Sequence, residues 1–207
     1  MPPCKLVPLV VAAGLLSLAG ASAQVANSDF KIDKIVPALQ QSPEGAGSYN
    51  KRVRQAKSWL EIETAFDWTP RTKDVKYIDD LTFTYYILLN NAQVTEDRKP
   101  TMLVGTVTHT SVMPGKDLKS VMYVAPRTLE RFFDGGSVNN PTQAVFDVGV
   151  TISNQGQVVA SSSLKGRGDW WTQYQPVQGY VLNKSESPFS HLAWDYYEPI
   201  KAKTSGN

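Results

Sequence analysis

Cysteine is almost absent from this 207-residue chain, with Cys4 its only one. A single thiol closes no internal disulfide and builds no cysteine-rich zinc site, so stability has to come from a buried core. Histidine is nearly as scarce: His109 and His191 are the only two, and no H-E-x-x-H run joins them. That leaves little material for a metal centre or an imidazole base, and a lone histidine in a strand is usually structural. No G-x-S-x-G elbow occurs, which removes the usual support for a serine hydrolase. Charge of one sign is missing too. Twenty-one basic residues face 19 acidic ones, for a net charge of +2, so no long-range field gathers nucleic acid. After the first two dozen residues no apolar run approaches the ~20 residues that a membrane-spanning helix needs.

The one apolar run, residues 6–19, follows Lys5 and ends in Ala21-Ser22-Ala23. It is too short to span a bilayer, and the small residues suit a signal-peptidase site, so residues 1–23 are expected to be a secretory signal peptide rather than a retained anchor. The working protein would begin near Gln24. Cys4 precedes the apolar run instead of following it, which argues against a lipid anchor, and it would leave with the signal. Export would place the chain in the periplasm, on the outer cell surface or in the medium. What remains is long enough to bury ~70% of its unfolded surface in one core.

Strand patterning dominates the rest. Residues 30–36 form a short strand candidate. Residues 38–50, with Pro43, Gly45 and Gly47, read as a linker or long loop. In residues 58–68, Leu60, Ile62, Thr64, Phe66 and Trp68 alternate with Glu61, Glu63 and Asp67, and in residues 81–89 Leu81, Phe83, Tyr85, Ile87 and Leu89 share a face. A period of two marks half-buried strands. Further strands are expected at 101–112, 118–124, 144–153 and 157–164, the last two joined by a hairpin turn at Asn154-Gln155-Gly156. One helix of about two turns is expected at 126–133, opened by Pro126 and ended by Asp134-Gly135-Gly136. The aromatic segments WWTQY, GYVLNK and LAWDYYE suit short closing strands. About eight strands and one short helix predict an all-β fold, an immunoglobulin-like β-sandwich with one short helix between strands. The expected organisation is a signal peptide at 1–23, an N-terminal extension and linker at 24–57, the sandwich at 58–200 and a polar tail at 201–207.

Several constellations invite chemistry. Glu61 and Glu63 lie two apart on the polar face of their strand, ~7 Å from each other. That is within the ~6.5–9.5 Å of inverting glycosidases, and Trp59 on the same face could stack on a sugar. Any alternating strand offers such a pair, so a solvated sheet face carrying charges is the favoured reading. Ser48 to Lys51 and Ser162 to Lys165 match S-x-x-K, but neither sits on an expected helix and the companion motifs are missing. Trp170-Trp171 and Tyr196-Tyr197 could form a carbohydrate platform. Neighbours on a strand point to opposite faces, however, so packing is favoured. The basic segment holding Lys51, Arg52, Arg54 and Lys57 reads as a solvated leader into the first long strand. Asn183-Lys184-Ser185 matches a glycan acceptor and carries no weight by itself.

WLEIETAF at 59–66, YVAPRTLERFF at 123–133 and LNKSESPFSHLAWDYYE at 182–198 give the chain from Trp59 onward a further identity. It resembles a family of exported pilus-like β-sandwich proteins of Akkermansia and related Verrucomicrobia, encoded with type IV pilus assembly proteins. The resemblance implies an immunoglobulin-like fold, no enzymatic activity and association with a pilus apparatus or the cell envelope. A true type IV pilin carries a Gly-Phe processing site and a long apolar helix, and the chain has neither, so an accessory role fits better than that of main filament subunit. The expectation is therefore a non-catalytic envelope or surface protein. No catalytic, metal or cofactor-binding residues are assigned and no cofactor is expected. Its partners would be envelope or pilus proteins, with a homo-oligomer joined through strand edges or aromatic patches. The alternatives are a glycan-binding module using the exposed aromatics and a small glycoside hydrolase centred on Glu61 and Glu63.

Overall fold

Alternating apolar residues give the described part of this chain nine strands. In the computed structural model, which describes residues 28–43, 57–72, 74–91 and 100–202, these are β1 (Phe30–Gln41), β2 (Ser58–Trp68), β3 (Leu81–Leu89), β4 (Met102–His109), β5 (Gly115–Val124), β6 (Val145–Asn154), β7 (Gln157–Ser163), β8 (Pro176–Gln178) and β9 (Val181–Asn183). They form a four-stranded sheet in the order β1-β2-β5-β9 and a five-stranded sheet in the order β7-β6-β3-β4-β8. Neighbours are antiparallel except β8, which runs parallel to β4. The all-β sandwich expected from the patterning is what the chain adopts.

The core lies between the sheets. Leu60, Ile62, Phe66 and Trp68 of β2 meet Leu81, Phe83, Ile87 and Leu89 of β3, all with almost no exposure. Phe66 and Phe83 cross edge to face at 4.9 Å between centroids, and each such side chain contributes about 1.5–3 kcal/mol by leaving water. A polar seam runs through this core. Thr64, Tyr85, His109 and Ser120 are all buried, and His109 Nε2 lies 2.8 Å from the Ser120 hydroxyl. Gly105 on β4 faces Val181 on β9, where an added Cβ would stand 2.6 Å from the valine Cβ. The close approach of the two sheets there requires glycine.

Local signals explain the connections. Gln155 and Gly156 both have positive φ, the conformation of a two-residue hairpin turn. The helix α1 (Pro126–Phe132) begins with proline at its first turn. Asp134 and Gly135 after it adopt positive φ, and the Gly135 amide donates to the Glu130 carbonyl. A second helical turn, α2 (Pro141–Ala144), is capped by the Asn140 side chain, which accepts from the Gln143 amide.

The structure departs from the sequence expectations in three places. The first strand does not end at Val36. β1 continues to Gln41, pairing Leu39 with Leu60 and Gln41 with Ser58, so four residues assigned to the linker belong to the sheet, and the sandwich starts at Phe30. A polar edge strand bearing Pro37 has the composition of a loop, because only its partner-facing side needs satisfying. The segment WWTQY is also not a strand: Trp170–Gln173 is a 3-10 turn. Residues 191–197 form successive turns instead of a closing strand. In both, aromatic content signalled burial or contact, with no period of two to fix the backbone. The expected signal peptide, Ser48 and Lys51 of one S-x-x-K match, and Lys51, Arg52 and Arg54 of the basic segment lie outside the described residues.

Candidate functional site

The outer face of the four-stranded sheet carries the richest side-chain chemistry, and the C-terminal segment after β9 crosses it as a strap. Asn183 starts this strap by a capping box: its side chain accepts from the Glu186 amide, while the Glu186 carboxylate accepts from the Asn183 amide. The next turns drop Phe189 onto the sheet. It stacks on Tyr123 at 4.7 Å and meets Trp59 edge to face at 5.8 Å. Val121 completes this apolar cluster and Tyr197 packs against it.

Glu61 and Glu63 lie under and beside the strap, which corrects the expectation of a solvated face. Glu61 is only 9% exposed and accepts a 3.1 Å hydrogen bond from the Gln40 amide of β1. Glu63 accepts from the hydroxyls of Tyr197 at 3.2 Å and Tyr196 at 3.5 Å, with the Lys119 ammonium at 3.9 Å. The site is therefore a carboxylate pair clasped by tyrosines. Burial raises the pKa of both Tyr123 and Tyr197, and the neighbouring Glu61 charge raises them further. Both stay protonated as donors at neutral pH. The ammonium of Lys184, itself only 8% exposed, has its pKa lowered by burial. It donates to the Ser190 carbonyl at 3.3 Å and lies 5.8 Å from the Tyr197 ring centre. A hydrolytic pair needs an open face for a sugar and a water. Here Phe189 and Tyr197 occupy the space Trp59 was expected to offer a substrate.

The other candidates resolve individually. His109 is 1% exposed, and its Nδ1 lies 3.1 and 3.3 Å from the carbonyls of Glu198 and Pro199. Burial pushes its pKa down to about 4, so the ring is neutral and ties the chain's end to β5. Tyr85 lies against Ser120 and Thr64, whose hydroxyls ease its ionisation slightly, while burial dominates and raises its pKa. Neither the Tyr85 nor the Thr64 hydroxyl attains full hydrogen-bond geometry. His191 is exposed and stacks beside Trp194 at 6.5 Å. Ser162 lies on β7 and Lys165 beyond it; the Lys165 ammonium sits 3.9 Å from the centre of the Phe146 ring. Lys57 pairs with Glu130 across 2.5 Å of solvent-facing surface. Asn183 is 6% exposed and spends its side chain on the cap.

Trp170 and Trp171 are packing residues, 5% and 7% exposed. Trp171 stacks on Tyr86 at 5.0 Å and lies on Gly149, where an added Cβ would come within 2.2 Å of the indole. They cover the outer face of the five-stranded sheet. Asp147 is fully buried beside them and takes a 2.8 Å ion pair from Arg167 together with the Lys165 amide. The sequence reading missed this pair, and the only signal for it was an isolated acid in a Val-rich strand. The aromatics left open are others: Trp194 is 71% exposed and Tyr196 52%. The Trp194 indole N–H donates to the His191 carbonyl at 2.8 Å, which fixes the ring edge and frees its face.

Among the described residues no group of three or more histidines, cysteines or acids could hold a metal ion, and no helix is long and apolar enough to cross a membrane. No curated protein matches the chain. A crystal structure from Akkermansia muciniphila is similar at 28% identity and a TM-score of 0.69, over 84% of this chain and 94% of that one. Residues 21–204 match the sequence model of one pilus-associated protein family. With that span matched, and the strap and both sheets lying inside it, the chain belongs to this pilus-associated family.

Proposed function

We propose that this protein is a non-catalytic component of the cell envelope or surface, accessory to a type IV pilus-like system, and that it works through protein–protein contacts. The observation that carries the reading is the covered carboxylate pair. The one constellation suited to hydrolysis, Glu61 with Glu63, is closed by Phe189, Tyr196 and Tyr197. Family membership supplies the setting. Cross-linking in intact cells, followed by identification of the captured proteins, tests it. Envelope or pilus-assembly proteins are the expected catch, and their absence would overturn the proposal. Turnover of any glycoside that disappears in a Glu61→Gln, Glu63→Gln double variant would do so as well.

A glycan-binding role has one observation in its favour, the open ring face of Trp194 with Tyr196 close by. Trp170 and Trp171, buried against Tyr86 and Met102, no longer contribute to it. Glycan-array binding that is lost on Trp194→Ala with unchanged melting would establish that role.

A further inference from the structure

The ladder between β3 and β6 skips one residue. Leu88 pairs with Asp147 and Leu89 with Val145, so Phe146 has no partner on β3. An extra residue of this kind is a bulge, and a bulge re-aims the side chain it carries. The Phe146 ring is 40% exposed, and two cations converge on it. Lys165 Nζ lies 3.9 Å from the ring centre and the Arg167 guanidinium carbon 4.9 Å from it. Both cations belong to the turn after β7, where Gly166 between them has positive φ.

The fold accounts for only part of this arrangement. Arg167 Nε donates to the fully buried Asp147 carboxylate at 2.8 Å, and a buried carboxylate needs that charge. The other N–H donors of the guanidinium have no partner, and the side chain is 41% exposed. Lys165 is exposed, and among the described residues no acid pairs with its ammonium. Asp147 takes only the Lys165 backbone amide, and the exposed Asp169, two residues past Arg167, pairs with neither cation. Two cations on one ring stand within the ~10 Å over which charges in 0.1 M salt still repel. Attraction to the ring, about 0.5–1 kcal/mol at an exposed site, offsets the repulsion without neutralising either charge. An anion between them would relieve it and fill the open edge of the guanidinium.

We propose that Lys165 and Arg167 form a receptor for a single carboxylate, the side chain of an aspartate or glutamate on a partner protein. This rests on the protein-contact reading above and names where the contact is made. A planar carboxylate matches the open edge of a guanidinium, with the ammonium beside it as a point charge. A protein partner fits better than an acidic glycan, because Lys165 and Arg167 already lie over the ring on which a sugar would stack. Leu164 and the rim of Phe146, each 40% exposed, offer apolar contact around the charges. Arginine and an aromatic ring among apolar neighbours are the composition of an interface hot spot.

The probe is a leucyl-glutamyl-leucine peptide capped at both ends, whose only charge is the carboxylate. It is titrated into the isotopically labelled full chain and followed by the backbone amide and Arg167 Nε–H resonances. Saturable shifts are expected at Gly166, at Arg167 and at its Nε–H. The glutamine version of the peptide should bind about tenfold more weakly, the loss of one charge-assisted hydrogen bond. Lys165→Gln should weaken binding about threefold, while Lys116→Gln, the same charge change at another exposed lysine, should leave it unchanged. Removing Arg167 would strand the buried Asp147 charge, so Phe146→Leu is the further variant: it releases Lys165 from the ring and should weaken binding as well. Equal binding of the two peptides, equal losses in Lys165→Gln and Lys116→Gln, or shifts centred away from residues 165–167 would overturn the proposal. Tighter binding of a galacturonate oligomer at equal carboxylate concentration would overturn it too, by assigning the site to an acidic glycan. No pilus protein takes part in the titration, so the receptor can fail while cross-linking in cells succeeds, and the reverse.

Discussion

His109 shows how one side chain can link stability to pH. Its pKa falls from 6.5 to about 4 on folding because burial disfavours the imidazolium. The unfolded chain therefore binds a proton between those values that the folded chain does not, and stability is lost as pH drops from 6.5 towards 4. A shift of that size corresponds to about 3 kcal/mol once the pH is below both values. The Glu198 carboxyl near it is raised by its own burial and acts in the opposite direction, so comparison with a variant is needed. Urea midpoints measured from pH 7 to pH 4 should fall less steeply in His109→Asn than in the parent. Gly149 gives a second residue-scale test. Gly149→Ala places a methyl group inside the Trp171 ring, and the indole must leave Tyr86 to accommodate it. A loss of about 1–3 kcal/mol is expected in denaturant unfolding, with a change in the near-ultraviolet aromatic signal. Neither effect was visible in the sequence, where His109 was only a lone histidine in a Thr-rich strand and Gly149 a glycine in a Val-rich one. Both depend on a residue that packs back from later in the chain, Trp171 onto Gly149 and Glu198 and Pro199 onto His109.

The strap is held at the scale of an element by two kinds of contact, and they should separate on mutation. Phe189→Ala removes the ring stacked between Tyr123 and Trp59 and should cost about 3–5 kcal/mol. Glu63→Gln preserves shape and most of the hydrogen bonding to Tyr196 and Tyr197, and at an ion pair only 13% and 20% exposed but stretched to 3.9 Å it should cost about 1 kcal/mol or less. Asn183→Ala, which removes the cap that launches the strap, should fall between them at about 1 kcal/mol. Thermal melts of the three variants rank the contributions, and an equal loss for Glu63→Gln and Phe189→Ala would contradict the apolar anchoring described here. The central strands were legible because each buries one face, so β2 and β3 announce themselves by strict alternation. β1 was legible only in its first half. The strap was legible as aromatic content without conformation. Its capping box stood in plain view at Asn183 and Glu186, overlapping a glycan-acceptor triplet that carried no weight by itself.

Across the whole molecule, residues 176–200 finish what the first strands begin. The His109 ring reaches the carbonyls of Glu198 and Pro199, Ile200 bridges back to His109, β8 and β9 extend the two sheets, and the strap covers the clasped carboxylates. Truncation after Asn183 should abolish a single cooperative unfolding transition, as followed by calorimetry, since it exposes Val121, Tyr123 and the polar seam together. A chain that emerges amino end first has no such closure until residues 184–200 arrive. β1 and β2 can pair early, but Glu61 stays uncovered and His109 unsatisfied while the carboxyl end is still behind. The domain thus locks only when residues 184–200 are in place, because until then the carboxylate pair has no cover and the polar seam lacks its outer partners.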